Sequence, residues 1–106
     1  MSDQPFGHMV FFTLRDSSSE AQASLIAACQ KYLSDHPGTL HFSAGSLADT
    51  NREVIDKDFH VALHLVFANR AAHDAYQEAE RHHQFIAENE SNWSRVRVFD
   101  SNISAT

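Results

Sequence analysis

At 106 residues the chain has enough sequence for one hydrophobic core and too little for two, so residues 1–106 are expected to form a single domain with an ordered core of about 7–101. Hydrophobic residues make up 42% and charged ones 21%, with three Gly and two Pro, which excludes disordered, collagen-like and low-complexity classes. A net charge of −6 argues against a polyanionic partner, because phosphate contacts need clustered cations; neither nucleic acid nor a membrane surface is expected.

His8 to Arg15 (HMVFFTLR) is rich in aromatic and branched residues and too short for a surface helix, so it reads as a strand. Its two faces are His8, Val10, Phe12, Leu14 and Met9, Phe11, Thr13, Arg15. Ser17 can then cap a helix, with Glu20 three residues on returning the bond to the cap's amide. Ala21, Leu25, Ala28, Cys29, Tyr32 and Leu33 give that helix one apolar stripe, and His36-Pro37-Gly38 stops it. Cys29 lies in the stripe and reads as a small buried hydrophobe. With no second cysteine to pair with, it suits a reducing compartment.

Thr39 to Leu47 alternates Leu40, Phe42 and Ala44 against Thr39, His41 and Ser43, a second strand. Ala48 to Asp58 (ADTNREVIDKD) is polar and turn-prone, a long surface connection with the character of a mobile flap. Phe59 to Phe67 is the clearest strand: Phe59, Val61, Leu63, Leu65 and Phe67 define a core face, with His60, Ala62, His64 and Val66 opposite. Asn69 can cap a second helix with a narrow stripe of Ala72, Ala75, Tyr76 and Ala79. Near Glu80 and Arg81 the phase shifts, and His82, Phe85, Ile86 and Asn89 define a new face on a continuing or kinked helix. Trp93 to Asp100 (WSRVRVFD) closes as a strand, Val96 and Val98 on one side and Arg95, Arg97 and Phe99 on the other.

The order βαββαβ fits an α+β, ferredoxin-like domain: a four-stranded antiparallel sheet with both helices on one face. The other face then carries Met9, Phe11, Val66 and Phe99 among His60, His64, Arg95 and Arg97. Four large apolar groups facing water mark an interaction surface, and the simplest partner is a second copy related by a twofold axis, giving a dimeric α/β barrel. Met9 to Phe12 is shorter than a signal-peptide core and no run is long enough to span a bilayer, so the expectation is a cytoplasmic protein.

Over nearly its whole length the chain resembles the stress-responsive α/β-barrel (Dabb) domains of the dimeric α/β-barrel superfamily. The segments that carry the likeness are HMVFFTLR, FHVALHLVF, AYQEAERHHQF and the closing VRVFD. The resemblance implies a homodimer, in some members a larger ring, and cofactor-free small-molecule chemistry in others. A plant polyketide cyclase of that family uses a Tyr and a His in its second helical region. Those positions match Tyr76 and His82, His8 matches a pocket-lining His, and Ala79 stands where the cyclase has another His.

Two functions follow as expectations. The first is a homodimer that binds a small apolar molecule in a helix–sheet cleft lined by His8, Val10, Phe12, Val61, Leu63, Phe85, Val96 and Val98. The second is a cofactor-free enzyme, a cyclase-like lyase or a monooxygenase, in which His82 removes a proton alpha to a carbonyl and Tyr76 donates to the oxyanion. A purely scaffolding oligomer is a third. No metal and no organic cofactor is expected: His60 and His64 stand about 13 Å apart along a strand, and His82 and His83 diverge by roughly 100° on a helix. No glycine falls in a GxGxxG or P-loop frame.

Overall fold

A computed structural model describes residues 4–104. Its elements are β1 (Phe6–Leu14), α1 (Ser19–Leu33), β2 (Thr39–Ser46), β3 (Val61–Phe67), α2 (Arg70–Glu78), α3 (Glu80–Asn89) and β4 (Trp93–Asn102), with one 3₁₀ turn, Glu90–Asn92, before β4. The strands form one sheet in the order β2-β3-β1-β4, each neighbouring pair antiparallel. This is the ferredoxin-like βαββαβ arrangement, with the second helical region divided in two. No helix among the described residues is long and apolar enough to cross a membrane.

The core lies between the helices and one face of the sheet. Val10, Phe12, Leu14, Val61, Leu63, Leu65 and Phe67 meet Leu25, Cys29, Tyr32 and Leu33 of α1, Tyr76 of α2 and Phe85 of α3. Each large apolar side chain buried in this layer contributes roughly 1.5–3 kcal/mol. Burial of Cys29 pushes its thiol up to about 12, so it stays protonated and unreactive at neutral pH.

Local chemistry sets the element ends, in places differently from expectation. Ser18, not Ser17, caps α1: its side chain accepts from the Ala21 amide, while the Ser18 amide is itself held by Asp16. The helix stops at Leu33, and His36 folds back under it, buried, its Nε2 2.8 Å from the Tyr32 carbonyl oxygen. Gly38 turns the chain with φ +83°, and a Cβ there would sit 2.5 Å from that of Ala72, so the turn needs glycine and a small residue facing it. A register shift between Thr39 and His41 turns Leu40 out of the expected core face and leaves it 62% exposed.

Two further corrections concern the β2–β3 connection. β3 begins at Val61, so Phe59 does not share the face of Val61 and Leu63; its ring packs on Phe11, centroids 5.0 Å apart. The connection is also tied down across the sheet. Arg97 pairs with Asp56 at 2.9 Å and also donates to the Asp58 carbonyl, Arg95 pairs with Asp58 at 3.0 Å, and Thr13 donates to the Asp58 carbonyl. The Arg97 guanidinium beside Asp56 holds that carboxyl below the usual carboxylate range.

Candidate functional site

Between α2, α3 and the β1–β4 side of the sheet lies a cavity of about 170 Å³. The alternation of β1 puts His8, Val10 and Phe12 on its floor, opposite Leu63 of β3 and Val96 and Val98 of β4. Tyr76 and Gln77 of α2, His82, Phe85 and Ile86 of α3, Leu33 and Trp93 complete the walls. The helices do not reach over β4, so Val96 and Val98 remain 39% and 50% exposed and form the mouth. Val61 belongs to the core rather than to this cavity: it is wholly buried and absent from the lining.

The kink between α2 and α3 brings the polar groups together. Ala79 adopts an extended conformation between the helices and, through its carbonyl, receives the amides of His82 and His83. That turn swings His82 against Tyr76, ring centroids 4.8 Å apart and edge-on. Tyr76 is 2% exposed, packed between Phe67 and the edge of His36, and burial raises its phenol well above the ordinary range. Burial also lowers His82 to about 4, helped by the neighbouring histidines His83, His8, His36 and His73, so its imidazole is neutral at pH 7. His82 Nδ1 and Trp93 Nε1 are buried without a hydrogen-bond partner, two polar atoms on residues that line one apolar cavity.

His8 carries a partner that the sequence reading missed. Its Nδ1 lies 2.6 Å from Oδ1 of Asp100, the residue directly opposite on β4. Burial lowers the His8 pKa, and the Asp100 hydrogen bond and charge oppose that shift. The pairing orients the ring and leaves the other nitrogen for the interior. His73 was also missed. The expected alanine stripe gives way to His73 and Tyr76 as the buried residues of α2, while Ala75 is exposed. The His73 ring packs against His8, Phe6 and Phe67, and its Nδ1 is 3.0 Å from Asp74 Oδ1. Among the described residues, His8, His73 and Asp100 form one group whose donor atoms all lie within 4.8 Å of one another, a set able to hold a metal ion.

The open face of the sheet carries most of the residues expected at an interface. Met9 stands opposite His64 and Phe99, Phe11 opposite Ala62 and Arg97, and Val66 opposite Gly7. Phe99 is 54% exposed, whereas Met9, Phe11 and Val66 are half-buried. Arg95 and Arg97 are committed to the β2–β3 connection, and a separate hollow opens between Phe11, Asp56, Phe59, Arg97 and Phe99. His60 has a structural task instead: its Nδ1 accepts from the Leu14 amide at 2.9 Å, closing the end of β1.

The sequence model of the family described as the stress responsive A/B barrel domain matches residues 6–103. No curated protein matches the chain by sequence. Among solved structures, a Dabb family protein with a ferredoxin-like fold from Mesorhizobium loti is 23% identical, with a TM-score of 0.78 over 96% of this chain and 99% of that one. A dimeric ferredoxin-like protein of unknown function from Thermobifida fusca is 13% identical, with a TM-score of 0.78 over 97% and 94%. A hydroxynitrile lyase from Passiflora edulis is 18% identical, with a TM-score of 0.77 over 99% and 98%.

Proposed function

The chain belongs to the stress-responsive A/B barrel domain family, and from that premise we propose that it works by holding a small, mainly apolar molecule in the cleft between its helices and its sheet. One observation carries this reading: an open-mouthed, apolar-walled cavity into which His8, Tyr76 and His82 converge. At about 170 Å³ it is below the range of drug-sized sites and close to the roughly 150 Å³ that accommodates benzene, so the ligand is a single ring or a short branched chain. The working unit is a cytoplasmic homodimer joined through the open sheet faces, a reading supported by the exposed Phe99 beside Phe11 and by the dimeric Thermobifida fusca neighbour.

A cofactor-free lyase or cyclase is the second reading, favoured by the 4.8 Å contact between Tyr76 and His82. Neutral His82 accepts the proton alpha to a carbonyl, the Tyr76 hydroxyl donates to the oxyanion, and Asp100 keeps the His8 ring in place on the cavity floor.

One titration tests both. Trp93 is the sole tryptophan and lines the cavity, so small aromatic aldehydes and phenols should quench its fluorescence saturably. Val98→Phe closes the mouth without disturbing the core and should abolish the quenching. Turnover of any bound carbonyl compound, lost by about a hundredfold or more in His82→Ala, selects the enzyme. Absence of saturable quenching, or quenching unchanged in Val98→Phe, refutes the cavity reading.

A further inference from the structure

We propose that His8, His73 and Asp100 form a binding site for one divalent transition-metal ion of the zinc class. The three donors come from β1, α2 and β4, so no local repeat accounts for their convergence. Strand register sets Asp100 directly across from His8, and α2 lays His73 over them, its ring centroid 4.8 Å from that of His8.

Distances and donor chemistry fit such an ion. Zinc holds nitrogen and oxygen donors at about 2.0–2.2 Å, which in a tetrahedron sets them roughly 3.3 Å apart. The donor atoms here already lie within 4.8 Å of one another, and His8 Nδ1 and Asp100 Oδ1 are 2.6 Å apart. The remaining closure falls to the Asp100 carboxylate, whose side chain is 40% exposed and free to re-aim. Two imidazoles and a carboxylate suit zinc, cobalt, nickel or ferrous iron; calcium and magnesium want oxygen alone.

The surroundings supply what a metal site needs beyond its ligands. The Asp74 carboxylate 3.0 Å from His73 Nδ1 fixes that ring, as carboxylates do behind metal-bound histidines, and Arg70 reaches the same carboxylate from one turn back at 3.9 Å. Asp100 also borders a surface hollow with Phe6, Arg70 and Ser101, a route for the ion from solvent. Without metal, His8 and Asp100 satisfy each other through a shared proton. The entering ion takes the lone pairs of both and releases that proton to solvent, leaving a fourth coordination position open.

The test uses the untagged full chain, titrated with Zn²⁺ by calorimetry and with Co²⁺ by visible absorption, no cavity ligand present. Failure here therefore leaves the cavity reading untouched. One ion per chain is expected, with proton release and with the ligand-field bands of nitrogen-bound Co²⁺. Asp100→Asn and His73→Gln should each weaken binding by about tenfold or more, while Val98→Phe should keep it. Asp100→Asn is isosteric and lies on a half-exposed edge strand, so it decides the matter even if His73→Gln unfolds. Absence of saturable binding by the wild-type chain, or equal affinity in Asp100→Asn, overturns the site. So does binding that survives His73→Gln and is lost in His64→Gln, which would put the ion on the open sheet face.

Discussion

The two faces of the sheet are built from the same four strands, yet they have been solved in opposite ways. On the helix face, alternate residues of β1 and β3 (Val10, Phe12, Val61, Leu63) are buried within the chain, and the one gap left among them is the cavity. On the other face the intervening residues meet a strap of polar loop held by arginines, and Phe99 stays more than half exposed. One face is completed by the chain's own helices. The other is completed only in part, and its apolar remainder beside Phe11 is where an association would gain most from burial.

If this contrast is right, matched substitutions on the two faces should behave differently. Phe12 is 2% exposed and packs on Trp93 and Phe85, so Phe12→Ala should cost about 3–5 kcal/mol in urea unfolding at any protein concentration. Phe99→Ala should cost less than about 0.5 kcal/mol in dilute solution and more as concentration rises, because its burial depends on a partner. An equal, concentration-independent cost at both positions would erase the distinction. A charge sharpens it: Phe11→Glu places an unpaired carboxylate where the proposed twin would sit, and should raise the dimer dissociation constant by about a hundredfold or more. Phe59 also leans on Phe11, so Phe99→Glu serves as the variant that spares the strap. Light scattering that still finds an unaltered dimer in both would move the interface off this face.

What could be read from sequence follows the same division. Period-two alternation is a local signal, so the cavity floor of His8, Val10 and Phe12 and the mouth of Val96 and Val98 were legible, as was the change of phase that brings Tyr76 to His82. Groups that meet only through strand register or helix docking left no such trace. Asp100 looked like the end of a strand until β4 paired with β1, and His73 was hidden in a run of alanines whose burial was set by where α2 lands. The β2–β3 connection read as a flap because composition does not tell a free polar loop from one whose Asp56 and Asp58 are met by Arg97 and Arg95, some forty residues away in sequence. Phe59 was misplaced for a related reason: its apolar neighbours continued the alternation past the point where β3 begins.

The smallest expected effect separates the faces by proton uptake. His82 titrates near 6.5 in an unfolded chain and at about 4 beneath the helices, chiefly because burial penalises its charged form. Between those values the unfolded state binds a proton that the folded state refuses, so stability falls as pH drops from about 6.5 to about 4 and levels off below. With the ring only partly shielded from solvent, the loss amounts to about 1–2 kcal/mol. His82→Gln removes this titration while keeping a polar side chain at the cavity wall. Its unfolding free energy should therefore decline less between pH 7 and about pH 4.5 than that of the wild-type chain, and the difference between the two curves isolates His82 from His8, whose pKa burial also lowers. Parallel curves would mean that His82 is already solvated in the folded protein, and the cavity wall would then be wetter than its apolar lining implies.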